Sequence, residues 1–344
     1  MREIKKVMTV LFYEEEYMKR LREMFHPAEV VSLSPRDNDG IVETLKTADV
    51  AVIYGDPDDR YLQAENLKWI HCGHAGLNRF AKKELFEKDL IVTSSAGRSA
   101  PALAEHIVMF ILALSYQFDK FLDAQRNHAW GFEGMQDLRG ACGQTVGILG
   151  MGNNGLELAK RCKALDMKVM AYDVREEKPD HVDEYYSVTK GETIDEILKK
   201  CDFLAICLPL NNKTYHMISE REFKLMKSSS SIINMARGPI IDEKAMIKAL
   251  KEGWIHGAGL DVFEEEPLAK DSELWDLPNV FITPHTTPAV PDRTSKVLDI
   301  LEENIRRYKN EEKMLNQLTE ADIFDVVPSL SLEEAYKKYY ANNK

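Results

Sequence analysis

The segment TVGILGMGNNGLELAK, residues 145–160, decides the fold. A short apolar run ends in Gly150-Met151-Gly152-Asn153-Asn154-Gly155, and a helical pattern follows at once. Glycines at this spacing, between a strand and a helix, mark a seat for the pyrophosphate of a dinucleotide. Gly150 suits the tight turn, Gly152 lets backbone approach the phosphates, and Gly155 lets the helix pack close on the strand. The helix N-terminus adds free N–H groups and the positive end of a dipole. Asp173, 173 − 155 = 18 residues past the last glycine, ends the next apolar run, KVMAY. A carboxylate there accepts hydrogen bonds from both ribose hydroxyls and repels a 2′-phosphate, which favours NAD over NADP. Arg175, two residues on, softens that preference.

Working outward, short apolar runs alternate with helical patterns in both directions. Strands are expected at Val7–Phe12, Val50–Tyr54, Leu67–His71 and Leu90–Thr93, with a helix at Glu14–Phe25. A second series is expected at Thr145–Leu149, Lys168–Tyr172, Phe203–Cys207, Ser231–Asn234, Gly257–Leu260 and Val280–Ile282, closed by a helix at Asp292–Tyr308. This rhythm implies parallel sheets with helices on both faces. Ala100–Asp123 reads as one long helix, apolar on more than one face, with Pro101 in its first turn. The glycine- and aromatic-bearing stretch 127–142 reads as an irregular arm, and Ser331 with Glu333 and Glu334 as a helix start in the tail.

The 344 residues suggest two domains at about 150 residues each. Apolar residues make up 44% and charged residues 30%, enough for real cores, so disorder, collagen and coiled coil fail as global readings. The net charge, 45 − 57 = −12, argues against a nucleic-acid backbone binder. The five cysteines (Cys72, Cys142, Cys162, Cys201, Cys207) are odd in number and widely spaced, without C-x-x-C. They read as reduced thiols of a cytoplasmic protein, with no zinc site or other metal. MREIKKVMTVLF reads as a first strand, its apolar run being too short for a signal peptide. The longest apolar run, Ile107–Leu114, falls short of the ~20 residues that span a bilayer, so no membrane is expected.

Four polar residues follow the later strands: Arg237 after SIINMA, Asp261 and Glu266 after GAGL, and His285 after VFITP. Each alone has a plain explanation, as surface charge, turn cap, member of an acidic run or satisfied histidine. Together they sit where open α/β sheets bind ligands, beside the glycine loop. A guanidinium holds a carboxylate through two parallel hydrogen bonds. An imidazole passes a proton near neutral pH, and a neighbouring acid orients the ring. Next to a nicotinamide these parts suit reduction of a 2-oxo acid.

At these residues the sequence closely resembles the D-isomer-specific 2-hydroxyacid dehydrogenase family over roughly residues 45–310. The likeness runs, in the family's order, through LKWIHCGHAGLNRF, TSSAGRSAPALAEHIVMFILAL, TVGILGMGNNGLELAK, CLPLNNKTYHMI, INMARGPIIDEKAMIKAL, GAGLDVFEEEPL and FITPHTTPAV. The distance from Arg237 to Glu266, 266 − 237 = 29 residues, fits it too. The resemblance implies an NADH-dependent, reversible reduction of a small 2-oxo acid to the D-2-hydroxy acid, as in glyoxylate and hydroxypyruvate reductases. In that reading Arg237 binds the substrate carboxylate, His285 is the acid–base residue, and Glu266 is its partner. Asp261 holds the carboxamide, Asn153 and Asn154 face the pyrophosphate, and Met235 and Ala236 lie along the nicotinamide half. Pro209 and Thr214 line the adenosine and phosphate wall, and His74-Ala75-Gly76 holds the substrate carboxylate from the other domain.

The family's topology places a Rossmann cofactor domain at residues 100–287. It is inserted into a discontinuous, flavodoxin-like substrate domain of residues 1–99 and 288–344, with catalysis in the cleft. The long helix and the 127–142 arm resemble elements that form a homodimer through the cofactor domain. An acid at position 266 departs from the formate dehydrogenase pattern. A dinucleotide-sensing corepressor scaffold is the competing reading, with a long disordered tail and a peptide groove as its marks. Tyr54, His74 and Trp130 are candidates for the pocket wall.

Overall fold

A computed structural model describes residues 2–286 and 290–326. Among the described residues, twelve strands form two all-parallel sheets. Within the described residues, the chain divides into one compact unit of residues 2–99 and 290–326 and a second of residues 100–286. The expected boundary at 287/288 and the expected helix start at Ser331 lie outside the described residues.

The first unit contains β1 (Lys6–Val10), β2 (Glu29–Ser32), β3 (Val50–Ile53), β4 (Trp69–Cys72) and β5 (Ile91–Ser94) in the order β2-β1-β3-β4-β5. The strands β3 and β4 are buried along their whole length. Parallel strands covered on both faces become continuous apolar runs, which is why they read clearly. The helix Arg293–Lys309 returns to this unit. Its Leu298, Leu301, Ile305 and Tyr308 share a core with Val7, Leu21 and Trp69, and Tyr308 stacks on Trp69 at 5.3 Å.

The second unit contains β6 (Thr145–Leu149), β7 (Lys168–Asp173), β8 (Glu184–Ser187), β9 (Phe203–Ile206), β10 (Ser231–Asn234), β11 (Gly257–Leu260) and β12 (Val280–Ile282). Their order is β12-β11-β10-β9-β6-β7-β8. The sequence crosses from one side of β6 to the other, so the strand order reverses there and a crevice opens at the carboxyl ends. The doubly wound α/β class is therefore as expected, with the seven-stranded sheet formed by an insertion into the chain of the five-stranded one.

Three local expectations need correction. The strands β2 (EVVS) and β8 (EYYS) are absent from the sequence reading. Both lie at sheet edges, and their short, partly exposed, glutamate-bearing sequences carry little apolar signal. The long helix is two helices, Ala100–Ser115 and Phe118–Arg126, bent by 65°. Gln117 takes φ 46, a left-handed conformation that ends the first helix. The second helix then packs on the arm, with Phe121 edge-on to Phe132 at 5.0 Å, so a distant contact overrides local continuity. The first helix buries Ala104, Ile107, Phe110, Ile111 and Leu114 in the core of the second unit. Among the described residues no single helix is long and apolar enough to cross a membrane.

Candidate active site

The glycine loop joins β6 to the helix Asn153–Ala164. Gly150 has φ 94, and a Cβ on it would lie 2.8 Å from the Cys207 carbonyl, so the turn is closed to other residues. A Cβ on Gly155 would come within 2.1 Å of the Gly150 oxygen, which sets the close packing of helix on strand. A Cβ on Gly152 would meet nothing, leaving open space above the loop. No side chain caps the helix at Gly152, so the N–H groups of its first turn face outward for a ligand. Asn153 is exposed and Asn154 half-buried in that turn.

Asp173 is buried, not a solvated loop acid. It accepts hydrogen bonds from Met151 N–H at 2.6 Å and Arg175 N–H at 3.1 Å, and the Arg175 guanidinium lies 3.2 Å away. The acid is thus fixed to the loop itself. Across the crossover, Thr214 Oγ1 donates to the Pro209 carbonyl at 2.7 Å and accepts from Asn211 N–H at 2.9 Å, which shapes the loop after β9. Open space, uncapped N–H groups and an anchored acid together fit a dinucleotide.

Two side chains meet beyond β11 and β12, and Arg237 follows β10. His285 Nδ1 lies 2.5 Å from Glu266 Oε2. An ionised carboxylate only accepts, so Nδ1 carries the hydrogen. Glu266 Oε1 also accepts from Phe263 N–H at 3.1 Å. Burial alone would raise the Glu266 pKa. The His285 hydrogen bond and charge, the Phe263 N–H and the Arg237 charge outweigh it and hold the acid below its ordinary value. The Arg237 charge is the smallest of these influences. Glu264, two positions back, turns instead to His216 at 2.7 Å, so geometry selects one acid from the run. Arg237 leaves β10 in extended backbone, and its Nη1 donates to the Ala236 carbonyl at 2.7 Å. Ala236 N–H donates to Asn234 Oδ1 at 3.0 Å, and Met235 is buried beside it.

His285 has φ 45, a conformation that costs a non-glycine residue of the order of 1–3 kcal/mol. The neighbouring structure over-determines it. His285 N–H donates to the Asp261 carbonyl at 2.8 Å, and the Asp261 carboxylate accepts from Thr286 N–H at 2.9 Å and Thr283 Oγ1 at 2.5 Å. Burial raises the Asp261 pKa, opposed by those two donors and by the charges of His106 and His285. Thr283 and His106, 3.2 Å apart, belong to this support and escape a sequence reading. A buried histidine in a mostly apolar helix is the signal that could have found His106.

In the first unit, His74-Ala75-Gly76 follows β4. His74 Nε2 lies 2.8 Å from Asp56 Oδ1, its carbonyl accepts from Ser95 N–H at 2.9 Å, and Gly76 has φ 80. Tyr54 is exposed after β3, and Trp130 is exposed in the arm of the second unit. All five cysteines are free.

The depressed pKa of Glu266 has a stability consequence. A group whose folded pKa lies below its unfolded one adds stability above the ordinary value of 4.5, lost as the pH falls through the folded pKa. Glu266→Gln should remove that component. Melting temperature followed from about pH 6 to about pH 3 should then fall less steeply in the variant than in the wild type, and parallel curves would refute the coupling.

The family model for the D-isomer specific 2-hydroxyacid dehydrogenase NAD binding domain matches residues 108–287. The glyoxylate reductase of Thermococcus gammatolerans is 34% identical over 306 residues, 87% of this chain and 88% of its own. A D-isomer specific 2-hydroxyacid dehydrogenase from Xanthobacter autotrophicus, solved with NADPH and MES, superposes with TM-score 0.77 at 26% identity, covering 93% of this chain and 99% of its own. The NADPH-dependent glyoxylate/hydroxypyruvate reductase of Sinorhizobium meliloti gives TM-score 0.76 at 26% identity, covering 92% and 99%. The matched family and these relatives define the class, oxidoreductases acting on CH–OH groups. The chain belongs to the D-isomer-specific 2-hydroxyacid dehydrogenase family.

Proposed function

We propose that this enzyme reduces a small 2-oxo acid to the D-2-hydroxy acid, reversibly, with NADH in preference to NADPH. The observation that carries this reading is the His285–Glu266 pair within the influence of the Arg237 guanidinium, at the carboxyl ends of β10–β12. A bound reduced nicotinamide supplies the hydride. Arg237 grips the substrate carboxylate through its planar fork and so orients the carbonyl. Glu266 fixes the His285 ring through Nδ1, which leaves Nε2 to hold the proton delivered to the carbonyl oxygen. In the reverse direction Nε2 takes that proton from the hydroxyl.

The same reading gives the other residues their parts. Gly150, Gly152, Asn153, Asn154 and Gly155 seat the pyrophosphate, Asp173 the adenosine ribose, and Pro209 and Thr214 the neighbouring wall. Met235, Ala236 and Asp261 flank the nicotinamide, with Asp261 on its carboxamide. Residues 100–287 then act as the cofactor domain, and residues 1–99 with 288–344 as the substrate domain, where His74, Ala75 and Gly76 contribute backbone donors. Exposed Met109, Tyr116, Phe118 and Trp130 supply apolar surface for a homodimer through the cofactor domain. Five free thiols suit the cytoplasm. No nucleic acid or membrane takes part.

Glyoxylate, hydroxypyruvate, pyruvate and bulkier 2-oxo acids, each tried with NADH and NADPH, test the proposal by loss of reduced-nicotinamide absorbance. Turnover with at least one acid and a D-configured product are expected, and no turnover with any would overturn it. The buried Asp173 carboxylate carries the cofactor preference. Asp173→Asn should lower kcat/KM for NADH relative to NADPH by about 10-fold or more, the worth of a charge-assisted hydrogen bond. A wild type that prefers NADPH would instead assign the 2′-position to Arg175.

Arg237→Lys separates anchoring from chemistry. An ammonium is a point charge without the fork, so KM for the acid should rise and kcat should fall with it. Wild-type constants in that variant would exclude bidentate anchoring.

A further inference from the structure

A line of hydrogen bonds runs through the second unit. It begins at His106 on the helix Ala100–Ser115, whose Nε2 lies 3.2 Å from Thr283 Oγ1, just past β12. Thr283 Oγ1 donates to Asp261 Oδ1 at 2.5 Å, and Thr286 N–H donates to the same oxygen at 2.9 Å. The Asp261 carbonyl accepts from His285 N–H at 2.8 Å. Asp261 thus clasps two successive main-chain N–H groups, those of His285 and Thr286.

The direction of the line follows from a count of hydrogens. An ionised carboxylate only accepts, and a hydroxyl has one hydrogen to give. Against burial, which raises the Asp261 pKa, the Thr283 and Thr286 bonds favour its ionised form. Thr283 therefore gives its hydrogen to Asp261 and accepts from His106, so Nε2 of His106 carries a hydrogen. Phe110 stacks on the His106 ring at 5.0 Å and holds it in place. Phe110 in turn fits over Gly259, two residues before Asp261: a Cβ on that glycine would lie 2.6 Å from Phe110 Cγ. The helix is thereby seated on β11, the strand that leads into Asp261.

His106 is a poor choice for packing alone. Its ring is buried, and its Nδ1 has no hydrogen-bond partner among the described residues. An unsatisfied buried polar atom costs stability, and an apolar side chain against Phe110 would avoid that cost. Proteins keep such breaches of a local rule at functional sites. We propose that His106 is a positioning residue for the reaction. Its Nε2–H, through Thr283, fixes the Asp261 carboxylate and so sets the place of both the nicotinamide carboxamide and the His285 main chain. The two threonine donors end on Oδ1, which leaves Oδ2 to the carboxamide. The roles of Asp261 and His285 rest on the function proposed above; the line of hydrogen bonds does not.

The test uses the full chain with His106→Leu, His106→Gln, Thr283→Val and the double variant His106→Leu/Thr283→Val. Each is followed by thermal melt, by fluorescence titration with NADH and by kcat with the best acid of the panel. His106→Leu should melt no lower than the wild type, because the orphaned nitrogen is gone. In the same variant NADH should bind about 3- to 10-fold more weakly and kcat should fall by a similar factor, the usual net worth of a hydrogen bond. His106→Gln keeps an N–H donor and should recover most of the loss. Because His106 acts through Thr283, the double variant should bind NADH no more weakly than Thr283→Val alone. Wild-type NADH affinity and kcat in His106→Leu, or losses that add in the double variant, would overturn the proposal. So would a melting temperature that falls with the affinity, which marks a structural residue. NMR of the imidazole nitrogens reads the line without cofactor or substrate: a hydrogen on Nε2 of His106 is expected, and a bare Nε2 would overturn it. Absence of turnover with every acid would defeat the proposed function alone, because the melts, the NADH titrations and the NMR still read the line.

Discussion

His285→Ala should lower turnover by about 10²–10⁴-fold, the usual worth of a positioned general acid, while NADH binding persists. The expectation rests on geometry. Glu266 holds Nδ1 at 2.5 Å, and the backbone of His285 is pinned to Asp261 at 2.8 Å. Ring and main chain are therefore both fixed, and a fixed proton donor lowers the barrier more than a mobile one. The seat for the dinucleotide is built from other residues, the glycine loop and Asp173, so its affinity should change little. Steady-state kinetics and a fluorescence titration with NADH check the two halves separately. Unchanged turnover would remove His285 from the mechanism, and lost NADH binding would show that the residue supports structure instead.

Gly238→Ala should cost both stability and activity. A Cβ at position 238 would lie 1.9 Å from the Phe263 carbonyl carbon and oxygen and 2.4 Å from Glu264 N. These are backbone atoms, so no flexible side chain can yield. The overlap separates the loop that carries Arg237 from the loop that leads to Glu266. Overpacking of this kind costs about 1–3 kcal/mol. A displacement of about 1 Å at reacting groups costs of the order of 10²-fold in rate. A thermal melt and kcat/KM should both report the damage. A variant with the wild-type melting temperature and full activity would show that the two loops are not in register through Gly238.

The legible parts of the sequence were those where one physical demand dominates. The turn at Gly150 and the packing at Gly155 tolerate no side chain, so the loop between β6 and the next helix could be read residue by residue. Strands buried on both faces left unbroken apolar runs, as in VAVI and FLAI. The edge strands EVVS and EYYS left none, because one side of each is open. The break at Gln117 was hidden for another reason: each half has helical propensity, and the turn is set by packing of Phe121 on Phe132. At the site, residue type and position after a strand singled out Arg237, Glu266 and His285. The supports were not legible. Thr283 and His106 act through contacts between segments 283 − 106 = 177 residues apart.

The most direct test of the central claim is a crystal structure with NADH and oxalate, an unreactive mimic of a 2-oxo acid. The account predicts one carboxylate of oxalate on the Arg237 guanidinium and an oxygen of the other within about 3 Å of His285 Nε2, the reach of a hydrogen bond. Oxalate bound away from Arg237, or an imidazole turned beyond that reach, would contradict it.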